Sequence, residues 1–162
     1  MHRQSAEALG NPLGAISLLM EALVLSFDHD PTAGRFTLVT DYPQKAPGAD
    51  RTFIMLRFDG VHDFARERGN LPALQRFAER YSTAEAPPVV VQSVRSTTAR
   101  FELWLGPNFG GLSFRYADVA AFLRQSYARE QDGDWVYRDV LTDEVFDFRH
   151  PFADQGLDGT PG

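Results

Sequence analysis

The chain reads as an α+β domain built mainly on antiparallel sheet. Short runs of alternating apolar and polar residues recur along it, separated by clusters of Gly, Pro, Asn and Asp. Only two segments, residues 71–81 and 119–129, carry apolar side chains at helical spacing. Those two sit between strand runs rather than alternating with every strand, which argues against a doubly wound parallel sheet. The expectation is roughly seven to eight short strands with two helices packed on them. They form one domain over residues 1–152, and the glycine-rich polar stretch 153–162 reads as a flexible tail.

In chain order, residues 5–9 read as a helical turn ended by Gly10-Asn11-Pro12. From Ile16 the chain suits a buried helix or a strand equally. Leu23, Leu25 and Phe27 then alternate with Val24, Ser26 and Asp28, and Phe36, Leu38, Thr40 and Tyr42 alternate with Arg35, Thr37, Val39 and Asp41. With the turn residues His29 to Gly34 between them, these two runs predict a hairpin. A third strand covers Thr52 to Phe58 and is closed by Asp59-Gly60. The first helix follows at 71–81, where Asn70 can cap it and Leu74, Phe77, Ala78 and Tyr81 share a face. Pro87-Pro88 breaks the chain before a three-stranded meander over residues 89–116. Asp118 can cap the second helix, with Val119, Phe122, Leu123 and Tyr127 on one face. A last hairpin joins 135–139 to 145–149 around Thr142-Asp143-Glu144.

Composition narrows the function. With 162 residues, 43% hydrophobic and 23% charged, the chain is globular rather than disordered or fibrous. The absence of cysteine excludes disulfides, thiolate metal sites and a cysteine nucleophile. A net charge of −6 disfavours a nucleic-acid partner of the usual basic kind. The most apolar stretch, Leu13 to Phe27, is short for a membrane span and contains Glu21, so no membrane partner is expected. Fifteen of the 16 basic residues are arginine, a pattern of GC-rich coding. The expected setting is therefore a bacterial cytoplasm.

Catalytic motifs fail one by one. The glycine-rich loop Gly106 to Gly111 lacks the Gly-Lys-Ser/Thr ending of a phosphate loop, and strand rather than helix follows it. Its Phe109 either folds back on the core or is displayed to a partner. Glu130, Asp132 and Asp134 have the opening spacing of a calcium loop, but Trp135 stands where its glycine belongs and Leu141 where its glutamate belongs. Ser113 lacks the second glycine of a nucleophile elbow. The remaining pattern is a Phe-Asp pair near histidine, occurring three times: Phe27-Asp28-His29, Phe58-Asp59 before His62, and Phe146-Asp147 before His150. If the three strand ends met, His29, His62 and His150 would form a metal site. In a meander, successive turns fall at opposite edges, so such a meeting is not implied by the pattern.

Charge is more informative when counted by segment. Residues 130–162 hold nine acids and two bases, whereas all the others hold 13 acids and 14 bases. The acidity belongs to one end of the chain, interleaved with aromatics. It predicts a non-catalytic protein-binding domain, of inhibitor or immunity type, without cofactor. That domain meets a basic protein partner through Asp132, Asp134, Trp135, Asp143 and Glu144, with Phe109 as a displayed contact. The alternatives are a metal-dependent enzyme or ligand-binding protein on the three histidines, and a structural homo-oligomer joined through Trp104 or Phe109.

Overall fold

The computed structural model describes residues 6–42, 50–70, 80–83, 88–97 and 99–155. Among them are twelve strands: β1 (Glu7–Ala8), β2 (Leu23–Asp30), β3 (Arg35–Tyr42), β4 (Arg51–Asp59), β5 (His62–Arg68), β6 (Arg80–Ser82), β7 (Val89–Val90), β8 (Ser93–Ser96), β9 (Arg100–Trp104), β10 (Gly110–Arg115), β11 (Asp118–Gln131) and β12 (Asp134–Asp139). One short helix, α1 (Pro12–Ile16), precedes a 3-10 turn at Ser17–Leu19. The strands form two antiparallel sheets. The larger runs β1-β11-β4-β3-β2-β6, with β12 added to β11 and β7 to β2. The smaller runs β5-β10-β9-β8. The antiparallel expectation holds, and the two-helix expectation does not.

The reason lies in β4. Ile54, Leu56 and Phe58 point into a core shared with Phe101, Leu103, Leu112 and Phe114 of the smaller sheet. Phe53 and Met55, on the opposite face, pack with Tyr137, Phe146 and Phe152. The large sheet is covered on both faces, by a second sheet on one side and by the C-terminal segment on the other. Strands buried on both faces read as continuous apolar runs instead of alternating ones.

β11 is the main correction. The helix expected at 119–129 is the body of a 14-residue strand. Val119, Ala121 and Leu123 face the inter-sheet core, while Phe122 and Ala128 face the other core. The spacing Val119, Phe122, Leu123 that mimics a helical face therefore mixes residues from two faces of a strand. β11 pairs with β4 from Asp118 to Ser126, with β1 at Phe122 and Leu123, and with β12 from Ser126 to Gln131. Of the helix expected at 71–81, residues 71–79 lie outside the described residues. Arg80 and Tyr81 belong to β6, opposite Asp28 and Phe27.

Local chemistry explains the rest. Asn11-Pro12 begins a helix instead of ending one: the Asn11 Oδ1 accepts the Gly14 N–H at 3.1 Å, and proline suits the first turn. The β2–β3 hairpin forms as expected, with a bulge between Val24 and Ser26 that sends Val24 and Phe27 to one core and Leu25 to the other. The expected meander is present as β8, β9 and β10, and β5, which the sequence reading did not anticipate, completes that sheet. The turn before β10 needs glycine. Gly110 has φ +90°, and a Cβ there would lie 2.0 Å from the Glu67 carbonyl oxygen. Arg66 braces the same turn, donating to the carbonyls of Gly111 at 2.7 Å and Phe109 at 2.8 Å. Burial, and then the charge of Arg68, lowers the Arg66 pKa. The last hairpin is reduced to one bridge, Arg138 with Val145. Ala153–Gln155, placed by sequence in the polar tail, forms a 3-10 turn whose buried Gln155 accepts the Ala6 N–H at 3.1 Å.

Tyr81 gives the inter-sheet core a titration signature. Its ring lies 5.7 Å from Phe27 and 5.1 Å from Phe109, and burial pushes the phenol from 10.0 up to about 12. The unfolded chain ionises this phenol first as pH rises. Its contribution to stability is thus complete below pH 10 and is lost between pH 10 and about 12. Difference absorbance at the phenolate band, wild type minus Tyr81→Phe, should show one group ionising near pH 12. Ionisation of that group near pH 10 would contradict the burial.

Candidate partner-binding hairpin

β11 outlasts its sheet. Beyond Ser126, its only strand partner among the described residues is β12. The two strands are joined by Asp132-Gly133, with φ of +52° and +84°. Positive φ at both central residues is the type I′ hairpin turn, whose preferred sequences include Asp-Gly. Glu130 lies directly opposite Trp135, and Gln131 opposite Asp134. Glu130, Asp132 and Asp134 are exposed, and Trp135 is 49% exposed. A large aromatic is thus displayed beside Glu130 on one face of the ribbon's end, with Asp132 in the turn and Asp134 on the other face.

The base of the ribbon is clamped by Arg124, which is fully buried on the face opposite the small sheet. Its Nε donates to Asp139 Oδ2 at 2.7 Å, and its Nη1 donates to the Pro151 carbonyl at 2.6 Å and to Asp154 Oδ1 at 2.7 Å. The guanidinium also lies 4.0 Å over the Phe146 ring. The other carboxylate oxygen of Asp139, Oδ1, accepts the N–H groups of Leu141 and Thr142 at 2.7 and 3.1 Å. Asp139 and Asp154 therefore spend their charge inside the fold and add little to any outward field. Beside this clamp, Arg51 pairs with buried Asp41 at 3.0 Å and covers the rings of Tyr137 and Phe148 at 5.0 and 4.6 Å. No sequence pattern announces Arg124. Its partners are 15 and 30 residues away.

The structure divides the other candidates. Asp132, Asp134 and Trp135 come together, and Glu130 joins them. Asp143 and half-buried Glu144 lie in the turn beyond the far end of β12. Five strand steps separate Asp134 from Asp139, about 17 Å. That exceeds the screening length of ~8 Å at physiological ionic strength, so the two acidic spots act separately. Phe109 takes the first of its two alternatives. It is 3% exposed, edge-on to Phe27 and Tyr81, and is not displayed. Trp104 is half-buried on the outer face of the small sheet.

The histidines are not brought together. His29 faces the small sheet, its ring stacked 4.0 Å from Phe64. His62, at the start of β5, holds its Nδ1 3.0 Å from the Gly60 carbonyl. His150 belongs to the segment covering the opposite face of the large sheet, where it lines a groove beside Asp28. Among the described residues, no three His, Asp or Glu side chains group to hold a metal ion. No described helix is long and apolar enough to cross a membrane. No family model, no curated protein and no solved structure matches this chain, so the functional reading rests on the geometry alone.

Proposed function

We propose that the chain is a non-catalytic protein-binding domain that captures a basic protein through the tip of the β11–β12 hairpin. The observation that carries this is Trp135, half exposed and directly opposite Glu130, with Asp132 and Asp134 completing the tip. An aromatic anchor with a carboxylate on its own face and two more at the same hairpin tip suits a cationic surface. The ring takes a guanidinium or ammonium on its face, and the carboxylates steer the approach. The clamp at Arg124 supports the reading, because it ties the base of the ribbon to the C-terminal segment, while the tip acids form no ion pair among the described residues. An inhibitor or immunity role in a bacterial cytoplasm is the setting we infer from the acidic end and the arginine usage.

The test is a capture from native lysate with three baits. Wild type should retain one stoichiometric basic protein, released by salt. A bait carrying Glu130→Gln, Asp132→Asn and Asp134→Asn should lose it, with stability changed by no more than about 0.5 kcal/mol. Asparagine keeps the left-handed backbone that position 132 requires. A bait carrying Asp143→Asn and Glu144→Gln should capture as wild type does. Equal capture by the first two baits would refute the tip as the binding surface.

A further inference from the structure

A cavity of about 510 Å3 lies between the outer faces of β2, β3, β4 and β6 and the segment His150–Ala153. Such a volume is in the range of small-molecule sites. The register explains its chemistry. Arg80, Asp28 and Thr37 stand side by side across three strands, and one row along stand Ser82, Ser26, Val39 and Met55. Pro151 and Phe152 close the cavity from the C-terminal segment, with His150 and Ala153 also in its lining. The cavity therefore has a charged end at Arg80 and Asp28 and an apolar end at Val39 and Met55. Asp28 and Arg80 are direct cross-strand neighbours, yet among the described residues they form no ion pair with each other or with any other side chain.

We propose that this groove binds a small zwitterion with an apolar side chain, of the α-amino acid class. The Arg80 guanidinium takes the carboxylate as a fork, and the Asp28 carboxylate takes the ammonium. The side chain rests on Val39, Met55 and Phe152. The ammonium nitrogen and carboxylate carbon of an α-amino acid lie about 2.5 Å apart, close enough for two neighbouring cross-strand side chains of opposite charge to reach both. A ligand carrying one charge would leave Asp28 or Arg80 unanswered.

Calorimetric titration of the full chain with L-phenylalanine and L-leucine tests this, with 3-phenylpropionate and phenethylamine as single-charge controls. Saturable one-to-one binding of at least one amino acid is expected. Each control, and each of Arg80→Met and Asp28→Asn, should bind at least roughly tenfold more weakly, the scale of a lost charge-assisted hydrogen bond. Both variants change exposed side chains, and an unchanged unfolding midpoint verifies that they fold. Absence of saturation up to about 10 mM would overturn the proposal. So would amino acid binding that neither variant weakens, or 3-phenylpropionate binding as tightly as phenylalanine. The hairpin variants should leave this titration unchanged, so the two sites fail or stand independently.

Discussion

Arg124→Met is expected to cost about 3–5 kcal/mol in urea unfolding, the range for breaking a buried ion pair from one side. Asp139 is 1% exposed, and without the guanidinium it keeps a buried charge that has lost its cation, although the N–H groups of Leu141 and Thr142 still donate to it. The same change removes the Arg124 hydrogen bonds to Asp154 and to the Pro151 carbonyl, which tie the C-terminal segment to β11. Adding Asp139→Asn should recover much of the loss, because the neutral side chain retains an oxygen for the N–H groups of Leu141 and Thr142. A double variant no more stable than Arg124→Met would show that packing on Phe146, rather than the stranded charge, sets the cost.

Phe58→Ala should be comparably damaging, at about 3–5 kcal/mol. Its ring centre lies 4.8 Å from Phe101, 5.0 Å from Phe114 and 4.9 Å from Tyr116, all from the chain of the smaller sheet, and 6.4 Å from Phe36 beside it. It is the residue of β4 that most directly joins the two sheets. Truncation leaves a cavity bounded by residues that sheet hydrogen bonds hold in place, so collapse is limited. Phe58→Leu should lose clearly less, and Trp135→Ala should change stability by no more than about 0.5 kcal/mol. A small effect of Phe58→Ala in denaturant unfolding would contradict the two-sheet packing.

The sequence showed its sheet wherever a turn punctuated the chain. The β2–β3 hairpin and the β8–β9–β10 meander were legible because Gly, Asn and Asp clusters bounded them. β4 was legible as a strand, but its burial on both faces followed only from what covers it. β11 was misread for the same cause. With Phe122 buried on one side and Leu123 on the other, period two disappears and an apparent helical stripe takes its place. Asp132-Gly133, just past the residues taken for a helix, is the hairpin signal.

The candidate site was legible in part. The acid count located the right end of the chain, yet charge counting cannot separate acids that face water from Asp139 and Asp154, which answer Arg124. Nor does sequence distance show that Asp134 and Asp143 stand at opposite ends of one strand. Of the repeated Phe-Asp pairs only Phe58-Asp59 ends a strand, with Phe58 in the core and Asp59 paired with Arg35 at 2.8 Å; Phe27-Asp28 lies within β2, and Phe146-Asp147 lies beyond β12 in no strand.

The chain has two tryptophans, Trp104 and Trp135, so Trp104→Phe leaves the hairpin tip as the only indole reporter. Titrating that variant with the protein captured in the lysate experiment should shift Trp135 emission to the blue as the ring, 49% exposed when free, is covered. The association rate should fall steeply with salt and lose most of that dependence when Glu130, Asp132 and Asp134 are neutralised. Saturable binding with Trp135 emission unchanged would place the interface elsewhere and contradict the account.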